Sequence, residues 1–276
     1  MRADFNTLAV VESNGVVQLV LNRPEVRNAF SHEMMTELDI ALDEAEIDPD
    51  VGAVVLRGEG KLFSAGHDLK EHNSGNPFHL RTFPHASPSV RPALPRAWYF
   101  RKPLIGALHS YVGPYAIALV ACCDFNIAAT GTRFSCEVFT GTYPDIEWLP
   151  LYLQLPMRVI EKLWLVGGWM DAEQALQFQL VQRVVPEDEV LDEALRWAQH
   201  AARVPSDRFA HGKDKIRRSI ELLGLDALPS VLDRHPSAVA PADRRGEEFA
   251  SSIKEKGLQE TMRDRNAGID PAITKV

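Results

Sequence analysis

The stretch Ala53-Val-Val-Leu-Arg-Gly-Glu-Gly-Lys-Leu-Phe-Ser-Ala-Gly-His-Asp-Leu-Lys70 decides the fold. Its apolar opening, closed by Gly58 and Gly60, reads as a short buried strand. Phe63 to Leu69 then forms a loop that enters a short helix.

Upstream, Leu8–Glu12 and Val16–Leu21 read as two strands, and Ser13-Asn14-Gly15 between them is a hairpin signal. Ser31 is placed to cap a helix in which Met34, Leu38, Ala41, Leu42 and Ala45 recur at helical spacing. Asp48-Pro49-Asp50 stops it. Downstream, residues 73–96 hold five prolines and read as a long mobile loop over a site. Leu104–Leu108 is the next strand, and Pro114 opens a helix that runs to about Cys123. Phe125–Ala129 is a further strand. Beyond residue 150 the pattern turns helical. A helix starts at Asp171, a short strand covers Val181–Val185, and helices fill roughly 187–203, 206–223 and 243–265. Strand–helix alternation followed by helices predicts an α/β core with a helical C-terminal region.

The 276 residues are 45% hydrophobic and 25% charged, with a formal net charge of −8. That composition is globular, and the acidic balance argues against a nucleic-acid partner. Cys122, Cys123 and Cys136 are too few and too ill-spaced for a disulfide framework, which points to a reducing cytoplasm. The opening residues Met1–Asn6 are polar and hold no signal-like apolar run. The apolar stretch from Leu104 to Ala129 is broken by His109, Pro114 and Asp124. It reads as buried strand and helix, with no membrane partner implied.

Four segments in order carry a resemblance. They are Leu21-Asn-Arg-Pro-Glu-Val-Arg-Asn-Ala-Phe30, the stretch 53–70, Lys102-Pro-Leu-Ile-Gly-Ala-Leu-His-Ser-Tyr111, and Glu173-Gln-Ala-Leu-Gln-Phe-Gln-Leu-Val-Gln-Arg-Val-Val-Pro186. Together, over about residues 5 to 220, they resemble the crotonase (enoyl-CoA hydratase/isomerase) superfamily. The resemblance implies a spiral core of ββα turns over residues 1–200, holding an acyl-CoA site. It implies a helical C-terminal region over residues 201–276, used in trimerisation. The implied assembly is a homotrimer or homohexamer, and no cofactor is implied beyond the coenzyme A of the substrate.

Chemistry beside a thioester builds negative charge on its oxygen, and two amide N–H groups aimed at that oxygen stabilise the enolate. The resemblance places these amides on His67, in Ser64-Ala-Gly-His-Asp68, and on Tyr115, in Gly113-Pro-Tyr-Ala-Ile117. The second loop departs from the usual glycine-rich pattern. Pro114 lacks an N–H, but Tyr115 keeps one, at a helix start where the dipole favours an anion.

A hydratase of this family uses two glutamates to activate water. One position falls here on Ala118, which cannot transfer a proton. The other falls on Glu137, in Glu137-Val-Phe-Thr-Gly-Thr-Tyr-Pro144. A single base can still move a proton between carbons of an acyl chain. The resemblance therefore favours double-bond isomerisation over hydration. Asp145 is a second candidate acid, and Glu147 is a nearby substitute. The alternatives are decarboxylation, thioester hydrolysis or carbon–carbon cleavage on the same fold, or a non-catalytic acyl-CoA-binding protein.

For coenzyme A, the resemblance implies contacts at Val26, Arg27, Ala65, Asp68 and Leu69. Lys213, in His211-Gly-Lys-Asp-Lys215, reads equally as a phosphate contact or an exposed helix lysine. His67, His72, His79 and His85 match no metal spacing, so no metal is expected. His109 reads as a structural hydrogen bonder, and Cys122 and Cys123 as core.

Overall fold

A computed structural model describes residues 4–68, 71, 94–136, 149–222, 244–257, 260–261, 263–264, 267 and 271–276. The hairpin expected at the start is present: β1 (Leu8–Ser13) pairs antiparallel with β2 (Val16–Leu21). Helix α1 (His32–Ile47) leads to β3 (Ala53–Gly58), and a short helix α2 (Leu94–Tyr99) precedes β4 (Leu104–Leu108). Next come β5 (Tyr111–Val112), α3 (Pro114–Cys122), β6 (Phe125–Ala129) and β7 (Arg133–Ser135). Then follow α4 (Leu149–Gln154), α5 (Met157–Leu165), β8 (Trp169–Asp171), α6 (Ala172–Gln177) and β9 (Arg183–Val185). The described helices beyond are α7 (Val190–Ala201), α8 (Ser206–Glu221), α9 (Arg244–Lys256) and α10 (Pro271–Thr274).

The main sheet has the order β1-β2-β3-β4-β6-β9, parallel throughout except at the β1–β2 hairpin. Parallel strands need cover on both faces, and alternation along each strand supplies it. Val54 and Leu56 pack with Met34, Leu38 and Leu42 of α1 in the larger core. Ala53 and Val55 face the other way and pack with Val190, Ala194 and Ala198 of α7. A smaller sheet, β5-β7-β8, stands apart from the main one.

Local chemistry accounts for the element ends. Ser31 caps α1 by accepting the Met34 N–H at 3.1 Å. Asp171 and Gln174 form a reciprocal capping box on α6. All nine residues of α3 are buried, as expected of a core helix that is apolar on every side.

Two details differ from the sequence expectation. The stretch 73–96 was expected to be loop, yet its described end, 94–96, belongs to α2. That helix is held by burial of Ala97 and Phe100, and by Arg96 reaching Asp43 and Glu46. The strand expected over Val181–Val185 shrinks to Arg183–Val185, because Leu180 and Val181 turn back onto the Ala175 carbonyl at the end of α6.

Two polar groups, one wholly and one mostly buried, tie the elements together. Asp124, at the start of β6, accepts the Leu104 N–H at 2.9 Å, the Lys213 ammonium at 2.7 Å and the Arg217 guanidinium at 3.1 Å. Both cations come from α8, so this carboxylate fastens that helix to the core. Asn28 joins the β2–α1 connection to the segment after β3. Its side-chain amide donates to the carbonyls of Glu59, Leu62 and Phe63 at 2.8, 3.0 and 3.2 Å. Its side-chain oxygen accepts the Arg23 N–H at 3.0 Å. It is fully buried and sits at φ 50°, a left-handed conformation that asparagine tolerates better than most residues.

Asn28→Ala should cost about 2–4 kcal/mol, because it strands buried carbonyls and puts alanine in a left-handed conformation. Urea unfolding followed by circular dichroism measures it, and a loss under about 0.5 kcal/mol would contradict the role given to Asn28. Burial pulls the Lys213 ammonium down to about 8 from 10.5, against the attraction of Asp124. Between those values the unfolded chain binds the proton more tightly, so this lysine's contribution to stability rises with pH. Unfolding free energies of the wild type and Lys213→Met, compared from pH ~8 to ~10, should therefore diverge in favour of the wild type.

Candidate active site

The segment after β3 is laced between two other stretches. On one side, Phe63 N–H donates to His109 O at 3.1 Å and Ser64 N–H to Tyr111 O at 3.2 Å, while Gly113 N–H returns to Ser64 O at 2.8 Å. On the other side, Ala65 N–H donates to Arg27 O at 2.9 Å and Phe30 N–H to Gly66 O at 2.8 Å, and Asp68 N–H donates to Phe30 O at 3.0 Å. Ser64 Oγ binds the Asn28 carbonyl at 2.7 Å and accepts the Gly66 N–H at 3.1 Å. The position of His67 is thus set by backbone bonds on both flanks.

Two glycines let the loops meet. A Cβ at Gly113 would stand 2.1 Å from the Ala65 carbonyl oxygen. Gly66 has φ +92°, and a Cβ there would lie 3.0 Å from Pro114 Cδ. Glycine alone fits such a close approach and such a φ without strain.

Gly113 is the N-cap of α3 and Pro114 its first residue, as the sequence predicts. The helix's own hydrogen-bond ladder begins at Ile117, whose N–H donates to Gly113 O at 2.9 Å. Tyr115 therefore lies in the first turn, at the positive end of the helix dipole. Its ring centroid is 4.7 Å from that of His67 and 4.8 Å from that of Phe30. The two residues singled out as amide donors are thereby brought side by side from separate loops. Ala118, one turn further along α3, is wholly buried.

The remaining sequence candidates divide. Val26 is half-buried, and Arg27, exposed at φ 59°, accepts the Ala65 N–H with its carbonyl. The Asp68 carboxylate pairs with Arg23 at 3.0 Å, and the same guanidinium holds the Ala29 carbonyl at 2.7 Å. Leu69, Glu137, Asp145 and Glu147 lie outside the described residues, as does 72–93 of the expected mobile loop. Cys136, just before Glu137, is buried and donates its N–H to Gly168 O at 2.9 Å.

Lys213 fits neither sequence reading. Its ammonium is turned inward to Asp124 and to the Lys102 carbonyl, at 2.7 and 3.3 Å. It is neither an exposed helix lysine nor a cation presented to a ligand phosphate. His109 has the structural role expected, with Nε2 3.1 Å from the Gly60 carbonyl. Burial pushes the Cys122 thiol up to about 12 and the Cys123 thiol higher still, so neither is a nucleophile near neutral pH. Among the described residues there is no cluster of His, Cys, Asp or Glu that could hold a metal ion. None of their helices is long and apolar enough to cross a membrane.

Asn28, Arg23 and Asp124 were not singled out in the sequence. Asn28 and Arg23 lie inside the quoted stretch 21–30, but a lone asparagine carries no spacing signal. Asp124 breaks the apolar run 104–129, and a buried acid there implies cationic partners without saying which.

Chemically, the arrangement offers a positive helix end and a second fixed loop facing one small region, suited to stabilising a developing oxyanion. Comparison with known proteins agrees in kind. The sequence model of the enoyl-CoA hydratase/isomerase family matches residues 11–254. A probable enoyl-CoA hydratase of Rhizobium meliloti (strain 1021) is 36% identical over 228 residues, 79% of this chain and 84% of that protein. The 2,3-dehydroadipyl-CoA hydratase of Escherichia coli (strain K12) is 29% identical, over 89% of this chain and 99% of that one. The crystal structure of an enoyl-CoA hydratase/isomerase from Xanthobacter autotrophicus Py2 superposes with a TM-score of 0.83 at 28% identity, covering 97% of this chain and 100% of that chain. The chain has the crotonase fold and belongs to the enoyl-CoA hydratase/isomerase family of enzymes.

Proposed function

We propose that this enzyme acts on an acyl-CoA thioester through an enolate held by the backbone amides of His67 and Tyr115. The observation that carries the reading is the meeting of the two loops. Gly66 lies against Pro114, and the His67 and Tyr115 rings are 4.7 Å apart. A thioester oxygen seated between the two amides would gain charge as the α-proton leaves, and fixed donors stabilise that charge without reorganising.

Within the family, the reading favours double-bond isomerisation over hydration. Ala118 lies three residues after Tyr115 on α3, so it shares that face of the helix. A methyl group there cannot activate water. Glu137 is the proposed proton carrier, taking a proton from one carbon and returning it two carbons away. Asp145 is the second candidate acid. Proton transfer of this kind works best when an apolar surround raises the carboxyl pKa towards neutrality. Coenzyme A is proposed to lie along Val26, Arg27, Ala65, Asp68 and Leu69. No cofactor beyond its own moiety is needed, and the proposed assembly is a homotrimer or homohexamer.

A mass-spectrometric assay with crotonyl-CoA, a 3-enoyl-CoA and a 3,5-dienoyl-CoA tests the reaction. The expected outcome is a double-bond shift in an unsaturated substrate, outpacing water addition to crotonyl-CoA. Glu137→Gln should lower kcat by about 10²–10⁴ while KM stays within a few-fold. Full turnover in that variant would remove Glu137 from the mechanism. Fast hydration of crotonyl-CoA by the wild type would make the protein a hydratase in spite of Ala118.

A further inference from the structure

We propose that the side chains of His67 and Tyr115 limit the acyl group to short chains. The inference rests on the reading above, in which these residues' amides hold the thioester oxygen. Amide and side chain belong to the same residue in each case. A carbonyl oxygen held by both amides therefore lies close to both rings, and so do the first carbons of the acyl chain.

The two rings are packed together there. Tyr115 is the largest fully buried side chain among the described residues, with 1% of its surface exposed. It packs tilted against Phe30, 2% exposed, at 4.8 Å and against His67 at 4.7 Å, each at 54°. Phe30 is pinned by its N–H to Gly66 O and by its carbonyl accepting the Asp68 N–H, at 2.8 and 3.0 Å. The Gly66 backbone is in turn seated against Pro114. Close-packed cores do not open to admit added methylenes without strain. Alanine at 67 and glycine at 115 would remove both rings from that space.

In an open apolar channel, each added methylene buried on binding tightens affinity roughly fourfold. A closed one stops that rise at the wall. The test is calorimetric titration of the full-length protein with acetyl-, butyryl-, hexanoyl- and decanoyl-CoA. Saturated thioesters offer no double bond to move, so the readout is binding alone. In the wild type, affinity should rise to butyryl-CoA and level off by hexanoyl-CoA. Tyr115→Gly should extend the rise, binding decanoyl-CoA at least about tenfold more tightly than the wild type does. His67→Ala replaces the more exposed ring, keeps its amide, and should move the limit in the same direction. It serves as the second variant if Tyr115→Gly does not fold.

A wild-type affinity that climbs steadily to decanoyl-CoA overturns the proposal. So does a limit that stays at hexanoyl-CoA in every folded variant, since the wall would then lie elsewhere. Both results leave acyl-CoA binding itself intact. Failure to bind any of the four thioesters would instead overturn the reading of the site, and the length limit with it.

Discussion

The candidate site depends on one close approach, that of the Gly113 backbone to the Ala65 carbonyl. A Cβ there would sit 2.1 Å from the oxygen, well inside van der Waals contact. With the Cβ absent, the Ser64 carbonyl can accept the Gly113 N–H, and the β3 loop runs as an added strand beside residues 109–113. Only then do Gly66 and Pro114 touch, and only then do His67 and Tyr115 share a site. The loops are held by backbone hydrogen bonds, whose geometry is tighter than that of side-chain contacts. That suits the proposed site, whose donors would be backbone amides, because an amide's direction is fixed by the peptide plane.

The approach is supported from behind by polar groups removed from water. The Asn28 side chain occupies carbonyls of the turn at 59–64, and the Ser64 hydroxyl in return donates to the Asn28 carbonyl. Arg23 links the Ala29 carbonyl to the Asp68 carboxylate across the mouth of the same loop. Each such bond adds only about a kilocalorie per mole, but leaving one unmade costs more. The network therefore acts chiefly by excluding alternative loop conformations. The Asp124 cluster does the same at the far end of α3. It holds α8 against the strand ends that frame that helix.

The sequence made the first half of the fold legible because its elements are long and periodic. The five apolar positions of α1 and the alternating strands β2 and β3 each repeat enough to show their period. The small sheet did not show itself. β5, β7 and β8 have two, three and three residues, too few for alternation to be distinguished from chance. α2 was hidden by the prolines around it. His67 and Tyr115 were found through the family resemblance, and their spacing alone would not have paired them. Their partnership depends on contacts between residues about fifty apart in the chain. Lys213 shows the opposite difficulty. A lysine in a helix of charged residues reads as surface, and only the tertiary partner Asp124 explains its burial.

The burial of α3 bears on where proton transfer can come from. All nine of its residues are shielded from solvent, and none is ionisable below the range of tyrosine or a buried thiol. A carboxylate introduced into such a helix would need a paired cation or a raised pKa. With Ala118 one turn beyond Tyr115, this helix carries no such group. α3 can then contribute an oriented amide and the dipole of its first turn, but no proton acceptor. On the proposed reading, the base that acts on the thioester comes from another segment. β7 runs parallel to β5, the strand leading into α3, and Glu137 follows β7 by two positions in the sequence. On the proposed reading, charge stabilisation falls to α3 and the β3 loop, and proton movement to the segment beyond β7.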